Sequence, residues 1–468
     1  MKKTKIICTI GPASQDKKTI ISMIDAGMDV VRLNFSHGTH EDYKTKIATI
    51  KAARQEKKVP LPILLDTKGP EFRIKTFQNG EIYLKDGATF TFTTEEIEGD
   101  ETRVSVSYKN ICNELVPDDK ILLNNGLMSL RVTEVSAPNV HCVVETGGKL
   151  SNRKSMFFPD KELHMPFLSE QDKADLLFGI EQDVDFVALS FVSKAQDVID
   201  TKEFLAKHGG SHINVIAKVE NRAGVNNLVD IIQVCDGIMV ARGDLGVEIP
   251  YEELPDLQKY IISQCRIHGK RVITATEMLE SMIHNPRPTR AEISDVANAV
   301  YDGTSAVMLS GETAAGAYPT ESVAAMAKIV EHAEHHVGYI QNIDNFAIKN
   351  TSEALSHSAA TLAKDLNAKA IVVCTRTGVT ARMVSRFRPN INILGITTDI
   401  HAYRQLALSW GVLPAMAEEY SSIDILFYFA KQTALKSGLA KKGDVIVITG
   451  GTPNGKSGNS NLINVETL

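Results

Sequence analysis

The chain has 468 residues, with 51 lysines and arginines against 57 aspartates and glutamates, for a formal net charge of −6. Both signs are scattered, so no basic face tracks a nucleic-acid backbone, and no apolar run approaches the roughly 18 residues needed to span a membrane. With 43% apolar and 23% charged residues the composition is that of a soluble globular protein, and the length predicts about three domains.

The start, Met1-Lys2-Lys3-Thr4, is basic, but the apolar run behind it is too short for a signal peptide, which predicts a cytoplasmic protein. Residues 5–10 form a β-branched strand, 16–26 a helix, 29–33 a strand, 41–57 a charged helix and 63–66 a third strand. The pattern changes at Gly69-Pro70. Between 70 and 165 it consists of short alternating runs at 81–84, 89–93, 103–107, 120–123, 129–135 and 140–145. Turns such as Asn124-Asn125-Gly126 separate them, which predicts an inserted β-rich module.

Ser169-Glu170-Gln171-Asp172 opens a helix as a capping box, with Asp where Glu or Gln is more usual. Strand and helix then alternate again, with strands expected at 185–190, 214–218, 237–241, 272–276 and 306–310. Counted with the first three, these make eight βα units over about 240 residues, the plan of a (β/α)8 TIM barrel. A doubly wound open sheet is the alternative that the pattern leaves open. The chain turns polar near 340–350, around Gln341-Asn342, and a third α/β unit follows. Its helices are expected at 352–365 and 381–387, and its strands at 370–374, 391–395, 411–415 and 444–449. The last 20 residues, rich in Gly, Asn, Ser and Thr, read as loop. The expected division is a barrel at 1–69 and 166–340, a β-barrel-like lid at 70–165 and a C-terminal α/β domain at 341–468. Cys8, Cys112, Cys142, Cys235, Cys265 and Cys374 are dispersed without a C-x-x-C pair, as expected of reduced thiols.

In a barrel, chemistry sits at the C-terminal ends of the strands. The fifth strand ends in Lys218-Val219-Glu220 and the sixth in Ala241-Arg242-Gly243-Asp244. Residues two apart share a face, so Lys218 and Glu220 point the same way. Glu220 and Asp244 make a candidate Mg²⁺ pair, and Lys218 a positive charge for a phosphate or an enolate. A surface salt-bridge cluster is the competing reading. Arg32, Asn34 and Ser36 share a face at the second strand end. Arg32 suits a phosphate, and the neutral oxygens of Asn34 and Ser36 suit a large monovalent cation. Asp66 and Thr67, ending the third strand, could complete that oxygen cage, or the group could simply cap loops. His37 by itself reads as a loop residue. Thr276 ends the seventh strand, where it could bind a carboxylate, relay a proton or cap a helix.

Several of these stretches are similar to pyruvate kinases: 1–14, 32–38, 65–73, 217–221, 239–250, Asn285-Pro286-Arg287-Pro288-Thr289-Arg290-Ala291-Glu292 and Met308-Leu309-Ser310-Gly311-Glu312-Thr313. The similarity runs through nearly the whole chain in order. It implies a barrel interrupted after its third strand by a lid, followed by an allosteric domain. It implies transfer of the phosphoryl group of phosphoenolpyruvate to ADP, with Mg²⁺ (or Mn²⁺) and K⁺, in a homotetramer. The roles it implies are Glu220 and Asp244 on the divalent metal, and Asn34, Ser36, Asp66 and Thr67 on potassium. Lys218, Thr276 and Arg32 would be catalytic. Arg32, Arg73, Lys218, Ala241, Arg242, Gly243, Asp244 and Thr276 would bind substrate, and Thr9, Pro12, Arg32, Asn34, His37 and Arg73 the nucleotide.

The segment Thr375-Arg376-Thr377-Gly378-Val379-Thr380 follows a strand and opens a helix, a natural phosphate site or a plain N-cap turn. The resemblance makes Thr375, Arg376, Thr377, Gly378 and Thr380 a sugar-phosphate effector loop, while Thr449-Gly450-Gly451-Thr452-Pro453 and Gly455-Lys456-Ser457 replace a second contact that often uses Trp and Arg. Other departures from the family pattern are Asn124 and Asn125 in the lid turn, Lys154-Ser155-Met156-Phe157-Phe158-Pro159-Asp160, Glu277 for a frequent Gln and Ala315 for a frequent Lys. Two other readings stay open: another metal-dependent phosphoenolpyruvate or pyruvate barrel enzyme such as a lyase, and a catalytically inactive sugar-phosphate sensor, which the lid departures allow.

Overall fold

A computed structural model of the chain describes residues 2–159, 161, 165–336, 347–419, 422–452 and 460–468. Asp160, Gln341-Asn342, Pro453 and Gly455-Lys456-Ser457 lie outside the described residues. Eight parallel strands close into a barrel: Lys5–Thr9, Val30–Asn34, Ile63–Asp66, Phe186–Leu189, Asn214–Val219, Gly237–Ala241, Arg271–Ala275 and Ala306–Leu309. Each pairs with its neighbour in sequence, and the last returns to the first through pairs such as Ile7 with Met308. Closure rules out the open-sheet alternative. The strands read as continuous apolar runs because both faces are buried. Ile7, Val30, Leu64, Phe186, Ile216 and Ile273 fill the barrel, while Val31, Leu65, Val187 and Val215 pack beneath the helices.

The Ser169 capping box forms as the sequence indicates, with Asp172 Oδ2 accepting from the Ser169 N–H at 3.1 Å. Asp172 Oδ1 accepts a further bond, also 3.1 Å, from the Gly69 N–H. The start of this helix is thereby tied to the point where the chain leaves the barrel.

The inserted segment folds as a six-stranded sheet beside a two-stranded pair, around a core that includes Phe90, Phe92, Ile121 and Leu130. Two of its strands escape the alternation test. Gly148–Ser151 carries few apolar residues, and Met156–Phe157 is only two residues long. At the tip, Asn124, Asn125 and Gly126 turn with φ of +50°, +55° and +79°, a left-handed path that Asn and Gly tolerate. A Cβ on Gly126 would stand 3.2 Å from Val247 Cγ1, so the tip rests on the barrel helix Arg242–Glu248.

The C-terminal sheet runs in the order Val412–Met416, Asn392–Thr397, Ala370–Cys374, Val445–Gly450, Leu462–Thr467. The first four strands are parallel and the last is antiparallel. That last strand corrects the loop reading of the final 20 residues. An edge strand is held by one ladder and little burial, so Asn464 and Glu466 carry no penalty within it.

This domain closes the bottom of the barrel. Leu408 is fully buried among the barrel-interior residues, with Ile7, Phe186 and Ile273. Around it Arg271 donates to Ser409 Oγ (3.2 Å) and the Gln405 carbonyl (3.1 Å). Lys5 Nζ donates to the Val412 carbonyl (2.9 Å), and Arg388 to the Gly303 carbonyl (2.8 Å). Leu408→Ala is expected to cost about 2–5 kcal/mol, read as a lower midpoint of thermal unfolding. Among the described residues, no helix is long and apolar enough to cross a membrane.

Candidate active site

The strand ends bring a charged network to the C-terminal mouth of the barrel. Lys218 Nζ donates to Ser190 Oγ at 2.6 Å and lies 2.9 Å from Glu220 Oε1 and 3.1 Å from Asp66 Oδ1. Asp66 Oδ2 accepts from Arg32 Nε at 2.7 Å, and Arg32 Nη1 donates to Thr9 Oγ1 at 2.9 Å. The Asp244 carboxyl stands beside that of Glu220, close enough that each perturbs the other's ionisation. Lys218 and Arg32 are each 9% exposed, Glu220 1% and Asp66 not at all.

Burial this deep makes the charge balance decisive. Burial works against the Lys218 ammonium, but Asp66 and Glu220 outweigh it and raise its pKa. Burial also opposes the Asp66 carboxylate, yet Lys218 and Arg32 hold its pKa below the ordinary range. Glu220 goes the other way. Burial, aided by Asp244 and only partly countered by Lys218, pushes it up to about 7. Asp244 is also raised, chiefly by burial, against the pull of Lys218 and with a push from Glu71 and Asp66. Three carboxylates thus face two cations, and the excess negative charge falls on the Glu220–Asp244 pair.

Strained backbone frames this pair. Phe191 has φ +59°, costly for a bulky residue, and in that conformation its N–H donates to Glu220 Oε2 at 2.6 Å. Thr276 and Glu277 have φ of +76° and +57°. Arg242 clamps this turn: its guanidinium donates to the Thr276 carbonyl at 2.6 Å and pairs with Asp295 at 2.7 Å. The Arg242 side chain is therefore committed to the turn, which leaves its backbone for other contacts. A Cβ on Gly243 would stand 2.8 Å from Thr276 Cγ2. Gly243→Ala is expected to push Thr276 out of place and lower kcat/KM by roughly ten- to a hundredfold, measured by steady-state kinetics with the fold checked by circular dichroism.

The four oxygen donors noted at the second and third strands lie close in the chain fold. Asn34 is the register partner of Asp66. Ser36 donates its N–H to Asn34 Oδ1 at 3.2 Å, and the Thr67 carbonyl accepts from Ser190 Oγ at 2.7 Å. Arg73 stands apart on the lid, bonded to Glu71 (2.8 Å) and the Arg153 carbonyl (2.8 Å). Pro12 and His37 are exposed loop residues, His37 tied through its carbonyl to the Tyr43 hydroxyl. Between lid and barrel lies a cleft of about 410 Å³ bordered by Glu71, Phe72, Phe158, Phe191, Asn221 and Asp244.

In the C-terminal domain, Thr375 Oγ1 accepts from the Gly378 N–H at 3.1 Å, and Thr380 shares a 2.7 Å hydrogen bond with Ser460. Arg376 and Thr377 are exposed at the start of the helix Val379–Ser385.

Ser190 and Phe191 belong to the network although neither was a sequence candidate. Ser190 sits at the end of the fourth strand, so the strand-end rule applied to every strand would have found it. Phe191 acts through its backbone, and no side-chain pattern marks that.

A closed parallel barrel with a buried lysine between carboxylates at its C-terminal mouth, under an inserted lid, defines a (β/α)8-barrel enzyme. The family models described as pyruvate kinase, barrel domain, and pyruvate kinase, alpha/beta domain, match residues 1–323 and 353–466. The chain is 44% identical over 476 residues to a pyruvate kinase of Clostridium acetobutylicum, covering all of both chains. It is 45% identical over 472 residues to one of Geobacillus stearothermophilus, covering all of this chain and 80% of that one. The crystal structure of a Cryptosporidium parvum pyruvate kinase superposes with a TM-score of 0.92 at 37% identity, over 100% of this chain and 96% of that one. The chain belongs to the pyruvate kinase family, and its enzyme class is that of a phosphotransferase.

Proposed function

We propose that the network around Lys218 transfers the phosphoryl group of phosphoenolpyruvate to ADP, giving pyruvate and ATP, the last step of glycolysis. The observation that carries this reading is the Glu220–Asp244 pair: two neighbouring carboxyls at the barrel mouth, Glu220 buried and Asp244 partly so, both with raised pKa, beside Lys218 in a cluster with more negative than positive groups. Such a pair fits Mg²⁺ (or Mn²⁺), which takes one or two carboxylates and completes its shell with water and substrate oxygens. When bound, the ion neutralises charge on the transferring phosphoryl group. Lys218 holds a fixed positive charge where the enolate develops, and Arg32 steadies the phosphoryl group and orients Asp66. The backbone of Ala241, Arg242, Gly243 and Asp244 and the Thr276 hydroxyl bind the substrate carboxylate, with Thr276 on the proton-relay side. Thr9, Pro12, Arg32, Asn34, His37 and Arg73 contact the nucleotide, Arg73 from the lid. Closure of the lid excludes water and limits hydrolysis.

Asn34, Ser36, Asp66 and Thr67 hold K⁺. Asp66 already serves Arg32 and Lys218, so the neutral oxygens of the other three supply most of that cage. Thr375, Arg376, Thr377, Gly378 and Thr380 receive the phosphate of a sugar-phosphate effector. The working divisions are 1–69 with 166–340, 70–165 and 341–468. The enzyme acts in the cytoplasm as a homotetramer, with exposed Ile425 and Tyr428 on helix Ile423–Lys436 available to subunit contacts. The comparisons lend no support to the lyase or sensor readings. The test is pyruvate formation with ADP or Mg²⁺ omitted in turn, and with K⁺ replaced by tetramethylammonium. Turnover that needs all three is expected. Folded protein that stays inactive with sugar phosphates added would return the weight to the sensor.

A further inference from the structure

At the opposite end of the barrel from Glu220, three side chains from three segments converge where the C-terminal domain docks. Asp183 precedes the fourth strand, His212 precedes the fifth, and His401 lies in the first turn of the helix Ile400–Leu406. One donor atom from each lies within 4.8 Å of the other two. His212 Nε2 is 3.7 Å and His401 Nδ1 3.5 Å from the same oxygen, Asp183 Oδ1. Both distances are too long for hydrogen bonds. Both nitrogens are shut off from solvent and have no hydrogen-bond partner. The rings face each other, with centroids 4.1 Å apart.

The surroundings hold these groups in place. Asp183 Oδ2 accepts from Arg404 Nη1 at 2.7 Å, which orients the carboxylate and leaves Oδ1 turned to the imidazoles. The His212 carbonyl accepts from Gln405 Nε2 at 2.7 Å, fixing its turn against the C-terminal helix. Two buried imidazole nitrogens without partners are an expense that a native fold usually avoids. A bound cation that accepts both lone pairs removes it.

We infer that Asp183, His212 and His401 form a second metal site, for a borderline-soft divalent ion such as Zn²⁺, that bridges the barrel and the C-terminal domain. Two imidazoles and one carboxylate oxygen with an open fourth position are a known donor set for Zn²⁺ and Co²⁺. Mg²⁺ and K⁺ prefer oxygen ligands, whereas this cluster offers two nitrogens and one oxygen. The site thus discriminates against both catalytic cations. It takes one ligand from the docked domain, so ion binding and docking stabilise each other.

The experiment uses the full chain, treated with chelator and dialysed into Mg²⁺ to fill the catalytic site. Zn²⁺ is added in a calorimetric titration, and Co²⁺ in a parallel absorption titration. The expected result is one equivalent of Zn²⁺ per chain, a visible Co²⁺ band of low-coordinate type and a Zn²⁺-dependent rise in thermal midpoint. His401→Gln and His212→Gln each lower the affinity on the order of a hundredfold and abolish the midpoint rise. Binding that is unchanged in the double variant would overturn the proposal and assign the ion to a surface group such as His332 and His336. So would the absence of any equivalent bound by the wild-type chain. Midpoints measured without Zn²⁺ separate a lost ligand from a fold damaged by the substitution.

Discussion

Lys218→Met is expected to lower kcat by about a thousandfold or more, with a much smaller change in the KM for phosphoenolpyruvate. The side chain is 9% exposed and reaches Ser190, Glu220 and Asp66 within 3.1 Å, so methionine fits its volume but not its charge. In the proposed role its effect falls on the transition state, where charge passes to the enolate oxygen, more than on the ground-state complex. Steady-state kinetics at saturating Mg²⁺ measure it. A kcat within tenfold of wild type would remove Lys218 from the chemistry. The substitution also leaves Asp66 paired with Arg32 alone and Glu220 with no cation, so circular dichroism and the thermal midpoint accompany the kinetics.

Glu220→Gln has the second-largest expected effect. It removes one carboxylate of the proposed metal pair and keeps the shape and the acceptor for the Phe191 N–H. Half-saturation by Mg²⁺ is expected to rise on the order of a hundredfold, with kcat reduced even at high Mg²⁺. Mn²⁺ binding, followed by electron paramagnetic resonance without substrate, isolates the metal step from turnover. Equal Mn²⁺ affinity in wild type and variant would separate Glu220 from the metal. The substitution also relieves the crowding of Glu220 against Asp244, so the variant is expected to be no less stable than wild type without divalent ions.

Much of the fold was legible because the barrel repeats one unit. Each strand is a continuous apolar run and each helix an amphipathic one, so eight alternations identify the architecture even with ends misplaced by one or two residues. The inserted module announced itself by losing that alternation at Pro70. Elements that are short or carry few apolar residues were not legible: Gly148–Ser151, the two-residue strand Met156–Phe157 and the half-exposed edge strand Leu462–Thr467. In the site, side chains carried by strand ends were found because position and chemistry agree at Lys218, Glu220 and Asp244. What the backbone does was invisible. The strained turns at Phe191 and Thr276 and the clamp from Arg242 depend on φ values and on contacts between distant strands. The pairing of His212 with His401 across 189 positions was equally hidden, since neither residue stands in a motif.

Leu408 gives the chain a constraint on how it can be inherited. A barrel whose interior includes a side chain from another domain has its lowest layer encoded some hundred residues downstream of its last strand. Exchange of the C-terminal domain with that of a relative would swap that layer too, along with the acceptors that Arg271 and Lys5 use at Ser409, Gln405 and Val412. The exposed loop at Arg376 and Thr377 can therefore change without touching the barrel, while residues 405–412 stay matched to the barrel they seal. A working chimera would carry that short stretch over from the barrel's own parent.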